Sequence, residues 1–292
     1  MSQAETILKP RTAGNENTGL IKLIAIFFML VDHTCVVLFT KGSGLLYQSA
    51  LYSESLYNSL RALGRFGMPL FCWGIVVGTE YTRNIWKYLL RILAVGVLSQ
   101  PCYMYALNHG PLDLNVFPTL GLGVLAIAGI KWRRYGSQVW LPILAVLLSM
   151  LVQMDYGWVG VCLILVLYAC RKSRGALAAG FVAYCLFMGR YYGSYNTLFD
   201  VTASMLRIPV TRLGNRYNTL AFGDLTNLFF QLEFWAVCTL PLIVIPMKKG
   251  FRVPKWIGYS AYPVHLAVLA VIRHWDEITA FFSTLTQSRP LG

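Results

Sequence analysis

Long apolar runs are the feature that most restricts how this chain can fold. A helix needs about 20 apolar residues to cross a hydrocarbon core of about 30 Å. The chain is 57% hydrophobic and only 13% charged, with a mean hydropathy of +0.56. We find about nine such runs, near residues 19–39, 66–82, 88–107, 116–131, 139–154, 157–170, 175–189, 225–247 and 257–274. This pattern predicts an all-α polytopic membrane helix bundle with about nine transmembrane helices.

The positive charge of the chain is grouped in short clusters between the apolar runs. These clusters lie at 83–91, 131–134, 171–174 and 248–255, in alternate connections. The turns near 108–115 and 155–157 contain no Lys or Arg. Because Lys and Arg concentrate in cytoplasmic loops, we expect a cytoplasmic N-terminus. The net charge of +13 therefore reflects membrane topology, and we expect no nucleic-acid partner.

One membrane domain is the simplest organisation, since no internal repeat stands out. Residues 1–18 are polar, with no hydrophobic signal region or small-residue cleavage site, and are expected to form a cytoplasmic tail. Residues 19–275 form the predicted transmembrane domain, with a long extracytoplasmic connection at 190–224, and 276–292 form a C-terminal tail. The seven cysteines occur singly in or beside apolar runs, so we expect no metal site.

The first apolar run carries ionisable residues. Lys22, Ile26, Met29 and His33 fall on one helical stripe, and the rise from Lys22 to His33 is about 16 Å. One explanation for these two residues is that His33 is a packing residue and that the Lys22 side chain extends towards the lipid headgroups. A carboxylate in the bilayer, however, costs several kcal/mol unless it is paired or wetted, and such residues usually mark a pathway or a reaction site. Asp32 beside His33 can also fix the imidazole tautomer and raise its basicity, as a general base requires.

A second histidine lies in the last apolar run. Pro263 can bend that helix, and His265 lies about 10 Å of helical rise beyond Gly258. Both runs are expected to enter from the cytoplasmic side, so His265 and His33 are predicted to meet near mid-depth. The alternative is that His265 caps the kink or contacts another helix.

Further polar residues flank the apolar runs. Arg65 is expected at the outer start of the second run, where it can bind an anion, pair with Asp32 or Asp155, or anchor the helix at the interface. The usual enrichment of Lys and Arg in cytoplasmic loops is the simplest explanation for the basic residues expected on that side. The same side chains can, however, also bind the phosphates of a cofactor. The candidate cofactor-binding residues are Lys22, Arg65, Arg83, Lys87, Arg91 and Lys255. The candidate substrate-binding residues, in polar outer turns, are Asn115, Asp155 and Tyr156.

Six segments in order resemble the TraX family of inner-membrane proteins, which is associated with conjugative pilus assembly and N-terminal acetylation of pilin. They are LIKLIAIFFMLVDHT, LGRFGMPLFCWGIVVGTEYTRN with KYLLRIL, LNVFPTLGLGVLAI, DYGWVGVCLILVLY, LEFWAVCTLPLIVI and KWIGYSAYPVHLAVL. The 190–224 connection has no counterpart in this match, and residues 73–78 match only as a loosely apolar stretch.

The resemblance implies an inner-membrane acetyltransferase that draws on cytoplasmic acetyl-CoA. The acceptor it implies is a pilin amine, or another group, presented at the outer face. The first run is also similar to wider membrane acyltransferases, in which a basic residue precedes an intramembrane His by eleven positions. That similarity makes His33 the catalytic residue and Lys22, where Arg is usual, its basic partner. Asp32 would orient the ring, and Arg65, Asn115 or His265 would stabilise the thioester oxyanion.

Two other classes of function fit the same residues. A proton-coupled transporter would use Asp32, His33 and His265 as a relay. A non-catalytic pilus-assembly scaffold would use them only to join helices. No soluble phosphate-binding, dinucleotide-binding, hydrolase or zinc-protease motif is present.

Overall fold

The computed structural model describes residues 11–191, 232–247 and 253–287. These residues form an all-helical bundle, so the all-α part of the predicted fold class is confirmed for the described chain. The α-helices are α1 (Thr18–Phe39), α2 (Glu54–Gly64), α3 (Gly67–Tyr81), α4 (Ile85–Leu107), α5 (Val116–Trp132), α6 (Ser137–Leu151), α7 (Gly157–Cys170), α8 (Arg174–Tyr191), α9 (Leu240–Val244), α10 (Lys255–Arg273) and α11 (Trp275–Gln287). A 3₁₀-helix, Leu232–Thr239, precedes α9. Most of the predicted 190–224 connection lies outside the described residues.

Several helices have the character of membrane spans. By length and composition, α1, α4 and the stretch Glu54–Tyr81 are each sufficient to cross a membrane, and α5 to α8 are shorter apolar helices. The run expected at 225–247 appears, in its described part, as the 3₁₀-helix followed by the five-residue α9. The sequence analysis missed α2 and α11. The second of these occupies most of the expected C-terminal tail.

A break at Arg65 and Phe66 separates α2 from α3. Pro69, in the first turn of α3, lacks the amide hydrogen that would bond to the Arg65 carbonyl in a continuous helix. The sharply amphipathic α2 and the apolar α3 both lie against α1. Gly64 permits this close approach, because a β-carbon there would collide with the Asp32 side chain.

Residues 11–17, which we call the N-terminal strap, pack into one end of the bundle. Asn15 is fully buried; its backbone amide donates to the Ile243 carbonyl at 2.8 Å, and its side-chain amide donates to the Leu242 carbonyl at 2.9 Å. The indole of Trp73 donates to the Asn15 carbonyl at 2.7 Å. The strap therefore joins α3 to α9, although the sequence predicted only a tail in this region.

An ion-pair cluster at the same end ties three more helices together. Glu80 of α3 accepts from Lys131 of α5 at 3.2 Å and from Arg171, directly after α7, at 3.1 Å. The Tyr81 hydroxyl donates to Glu16 of the strap at 2.6 Å. These contacts define the strap end of the bundle.

The other end is formed by the last turns of α1, α4 and α10 and by the first turns of α3, α5 and α7. Arg273, at the end of α10, donates to the Ala106 carbonyl near the end of α4 at 3.1 Å. A parallel β-bridge between Leu114 and Met154 joins the turns before α5 and α7. These contacts hold the polar turn residues together. We call this end of the bundle, opposite the strap end, the far end.

Candidate active site

A cavity of about 400 Å³ lies near the far end of the bundle. Its wall is formed by α1, α2, α3, α4, α5 and α10 and by the turns before α5 and α7. Several of the ionisable candidates line it, together with polar residues that the sequence analysis did not select. The principal polar lining residues are Asp32, His33, Tyr57, Arg61, Arg65, Tyr103, His109, Asp155, Tyr156 and Tyr262.

Two imidazoles meet at the cavity wall. His33 of α1 and His265 of α10 are both buried, with ring centroids 5.0 Å apart and the ring planes 11° from parallel. Nδ1 of His33 lies 2.7 Å from Nε2 of His265. The two helices thus bring together histidines 232 positions apart, as the comparison of their depths had predicted.

The hydrogen-bond chain determines which nitrogen carries each proton. Nδ1 of His265 lies 2.7 Å from the Ala261 carbonyl oxygen, which can only accept, so Nδ1 is the protonated nitrogen. With both rings neutral, Nε2 of His265 accepts the proton carried by Nδ1 of His33. Nε2 of His33 therefore retains a lone pair, as a general base or a nucleophile requires.

Asp32 makes a different contact from the one expected. Its carboxylate pairs with Arg61 of α2 at 2.5 Å, and both side chains are largely buried. The ring of His33 is instead hydrogen-bonded through Nδ1 to His265. The structure therefore assigns the orientation of His33 to His265, because the Asp32 carboxylate is directed to the guanidinium.

Of Arg65 and the three predicted substrate-binding residues, three line the cavity and one does not. Arg65 donates to the Tyr156 hydroxyl at 3.2 Å, and both residues line the cavity with Asp155. Burial raises the pKa of Asp155, and the nearby Arg65 guanidinium partly opposes that rise. Asn115 lies outside the cavity lining and serves the fold: its side chain caps α5 by accepting from Phe117 at 3.0 Å.

The side-chain amide hydrogens of Asn115 are also bonded within the protein. Its side-chain nitrogen donates to the Gly96 carbonyl at 2.7 Å and to the Gln100 side chain at 2.9 Å. Asn115 therefore clamps α5 to α4, and its side-chain groups are already bonded. A helix-capping signal was present in the sequence, where Asn precedes an apolar residue and Pro118 follows within the first turn.

The basic residues expected to hold a cofactor are far from the cavity. Lys22, near the start of α1, and Arg83, Lys87 and Arg91, around the start of α4, are exposed towards the strap end. Lys255 begins α10, but its side chain lies outside the described part of the structure. Arg65 is the member of this predicted group that lines the cavity.

Five of the principal polar cavity residues were missed by the sequence analysis: Tyr57, Arg61, Tyr103, His109 and Tyr262. Arg61 lies on the unpredicted α2, while the ring of His109 stacks on Tyr103 with centroids 4.6 Å apart. The tyrosine and arginine positions carry no local motif. Tyr262 alone had a usable signal, since it precedes His265 by three positions and so shares its helical face.

Comparison with known proteins identifies the family. The model of the TraX protein family matches residues 17–273. The chain belongs to the TraX family. This confirms the resemblance found in the sequence. A probable fimbrial assembly protein, FimC of serogroup H1 from Dichelobacter nodosus, is 31% identical over 261 residues, which cover 85% of this TraX-family chain and 92% of that protein. No solved structure matches the chain.

Proposed function

We propose that this TraX-family protein is an integral membrane acetyltransferase that acts in pilus assembly. It would move an acetyl group from acetyl-CoA to an amine, and the acceptor we propose is the N-terminus of pilin. The observation that carries the proposal is the hydrogen bond between His265 and His33, which lines a charged cavity. Family membership and the fimbrial relative support the assembly context.

The proposal includes a topology in the bacterial inner membrane. Successive apolar helices, among the described residues, lead alternately from the strap end to the far end and back, and the basic clusters at 83–91, 131–134 and 171–174 belong to the strap end. We therefore place the strap end in the cytoplasm and infer about nine crossings, with α2 and α3 together making one. This orientation puts the cavity in the outer half of the bilayer, where it can receive an acceptor from outside.

His33 supplies the base in the proposed reaction. Its Nε2 takes a proton from the acceptor amine while the amine nitrogen attacks the thioester carbonyl carbon. The positive charge that develops on His33 is stabilised through Nδ1, which donates to His265. The carbon–sulfur bond then breaks, and the proton passes from Nε2 to the leaving thiolate. An acetyl-imidazole formed on Nε2 is an alternative route with the same net balance.

The cavity has room for part of the acetyl-CoA donor but not for the whole molecule. At about 30 Å³ per water molecule, 400 Å³ corresponds to about a dozen waters. That space suits an acetyl thioester and the end of its pantetheine arm, while the nucleotide must bind elsewhere. The basic residues at the strap end suit its phosphates, and the arm must then span the rise of about 16 Å from Lys22 to His33.

The test is acetyl transfer by purified protein in lipid nanodiscs. Labelled acetyl-CoA and a synthetic peptide with the pilin N-terminus are supplied, and His33→Ala is compared with His274→Ala. His274 is a suitable control because it contacts Tyr105 and Glu277 outside the cavity. We expect His33→Ala to abolish transfer and His274→Ala to retain it. Undiminished transfer by folded His33→Ala protein would refute the assignment, and substrate accumulation in vesicles without covalent change would instead favour the transporter.

A further inference from the structure

Tyr262 presents a buried hydroxyl at the cavity wall. The residue is only 5% exposed and lines the cavity together with His33. Its ring is held edge-to-face by Phe117, with centroids 4.9 Å apart, and by His33 and His265, at 5.8 and 5.5 Å. The position of the hydroxyl is therefore fixed by packing on several sides.

Among the residues that the structure describes, no group accepts a hydrogen bond from this hydroxyl. A buried hydroxyl proton without an acceptor is costly, and buried polar groups are nearly always satisfied. Because Tyr262 lines a cavity, the missing partner is most simply a group on a molecule that enters the cavity. A phenol donates well, so that group should be an acceptor oxygen.

The start of α5 places a backbone amide beside the Tyr262 hydroxyl. The first amides of a helix have no partner within the helix and lie at the positive end of its dipole. The Phe117 amide is capped by Asn115, and Pro118 has no amide hydrogen. That leaves the amide of Val116, which is directed towards the oxygen of the Tyr262 hydroxyl and so leaves the hydroxyl proton to be donated elsewhere.

Two residues expected to stabilise an oxyanion are committed elsewhere. The side chain of Asn115 bonds to Gly96, Gln100 and Phe117, outside the cavity lining. Both nitrogens of His265 are used, one on Ala261 and one on His33. Arg65 lines the cavity but donates to Tyr156. The Tyr262 hydroxyl thus provides a donor on the same cavity wall as the proposed base.

We propose that the Tyr262 hydroxyl binds the carbonyl oxygen of the transferred acyl group. This site rests on the proposed acetyltransferase function and specifies how the donor is held. When the amine nitrogen attacks the carbonyl carbon, the C=O π electrons move onto the oxygen. That oxygen then accepts a hydrogen bond from Tyr262. When the C=O bond re-forms, the carbon–sulfur bond breaks and the thiolate takes the proton held on Nε2 of His33.

The experiment replaces Tyr262→Phe, which removes the hydroxyl and keeps the ring that Phe117 and the two histidines contact. The matched control is Tyr184→Phe, which removes another buried hydroxyl, one that donates to the Val159 carbonyl outside this cavity. Turnover is measured with acetyl-CoA and the pilin peptide. Binding is measured with S-acetonyl-CoA, which has a carbonyl oxygen, and with S-propyl-CoA, which lacks it.

We expect Tyr262→Phe to lower kcat by about 10²- to 10³-fold, as removal of an oxyanion donor does elsewhere. It should weaken binding of S-acetonyl-CoA by about tenfold, the value of one hydrogen bond, and leave binding of S-propyl-CoA unchanged. Tyr184→Phe should not discriminate between the two analogues. Equal weakening of both analogues by Tyr262→Phe, or an unchanged kcat, would overturn the carbonyl site.

These results separate the carbonyl site from the proposed function. If wild-type protein transfers acetyl groups and Tyr262→Phe transfers them equally well, the carbonyl site is refuted and the acetyltransferase function stands. If wild-type protein neither transfers acetyl groups nor binds either CoA analogue, the acetyltransferase function fails, and the carbonyl site fails with it.

Discussion

Replacing His265→Leu tests the inferred proton arrangement most directly. The substitution removes the acceptor of the 2.7 Å hydrogen bond from Nδ1 of His33. Leaving a buried donor without a partner costs about 1–3 kcal/mol. The same change allows the proton to move to Nε2, which removes the lone pair that the reaction needs. At about 1.4 kcal/mol per tenfold change, we expect kcat to fall by about 5- to 150-fold.

The assay is acetyl transfer in nanodiscs, with thermal unfolding measured on the same preparations. His265→Gln is the informative companion, because its side-chain oxygen can accept from Nδ1 of His33 and should restore part of the lost turnover. His274→Leu controls for loss of an imidazole outside the cavity. The reasoning fails if folded His265→Leu protein keeps more than half of the wild-type kcat, or if Gln and Leu at this position are equally impaired.

Two further predictions concern stability. Arg61→Met leaves the Asp32 carboxylate unpaired in a largely buried position, so we expect a loss of about 2–4 kcal/mol in the free energy of unfolding. The double variant Arg61→Met with Asp32→Asn should lose less than the sum of the two single losses. Additive losses would contradict the pairing. Burial alone would raise the pKa of Glu16, but hydrogen bonds from Tyr81 and from the strap lower it below 4.5. Because the folded-state pKa is lowered, the carboxylate stabilises the fold above its unfolded pKa, and that contribution disappears as the pH falls through the folded-state value. Glu16→Gln should therefore flatten the decline of Tm at acid pH, and an unchanged profile would exclude this role.

The sequence was sufficient for features that depend on composition and helical rise. Apolar runs predicted a helical bundle because a membrane span needs a fixed length of apolar helix. The meeting of His33 and His265 followed from their depths along two helices that start at the same end. In both cases the structural feature depends only on the spacing of residues along the chain.

Other features depend on which faces of distant helices pack together. The sequence suggested that Asp32 would orient its neighbour His33, but adjacent residues on a helix point about 100° apart and do not face each other. Arg61 reaches Asp32 because α2 packs against α1, where Gly64 leaves room for the Asp32 side chain. No periodic pattern encodes that contact, and the amphipathic α2 was too polar to be recognised as part of the bundle.

The hydrogen bonds of the N-terminal strap have a consequence for the order in which the protein is made. Asn15 is bonded to Leu242, 227 positions later, and His33 to His265 is a similarly distant pairing. During synthesis the first helix is therefore complete long before the ribosome has produced the partners of either residue. The strap can dock only when α9 has been made, and the histidine pair forms only after α10 has been made. A chain interrupted before residue 265 has all of α1 but lacks the acceptor that orients His33, so under the proposed function we expect it to be unable to transfer an acetyl group.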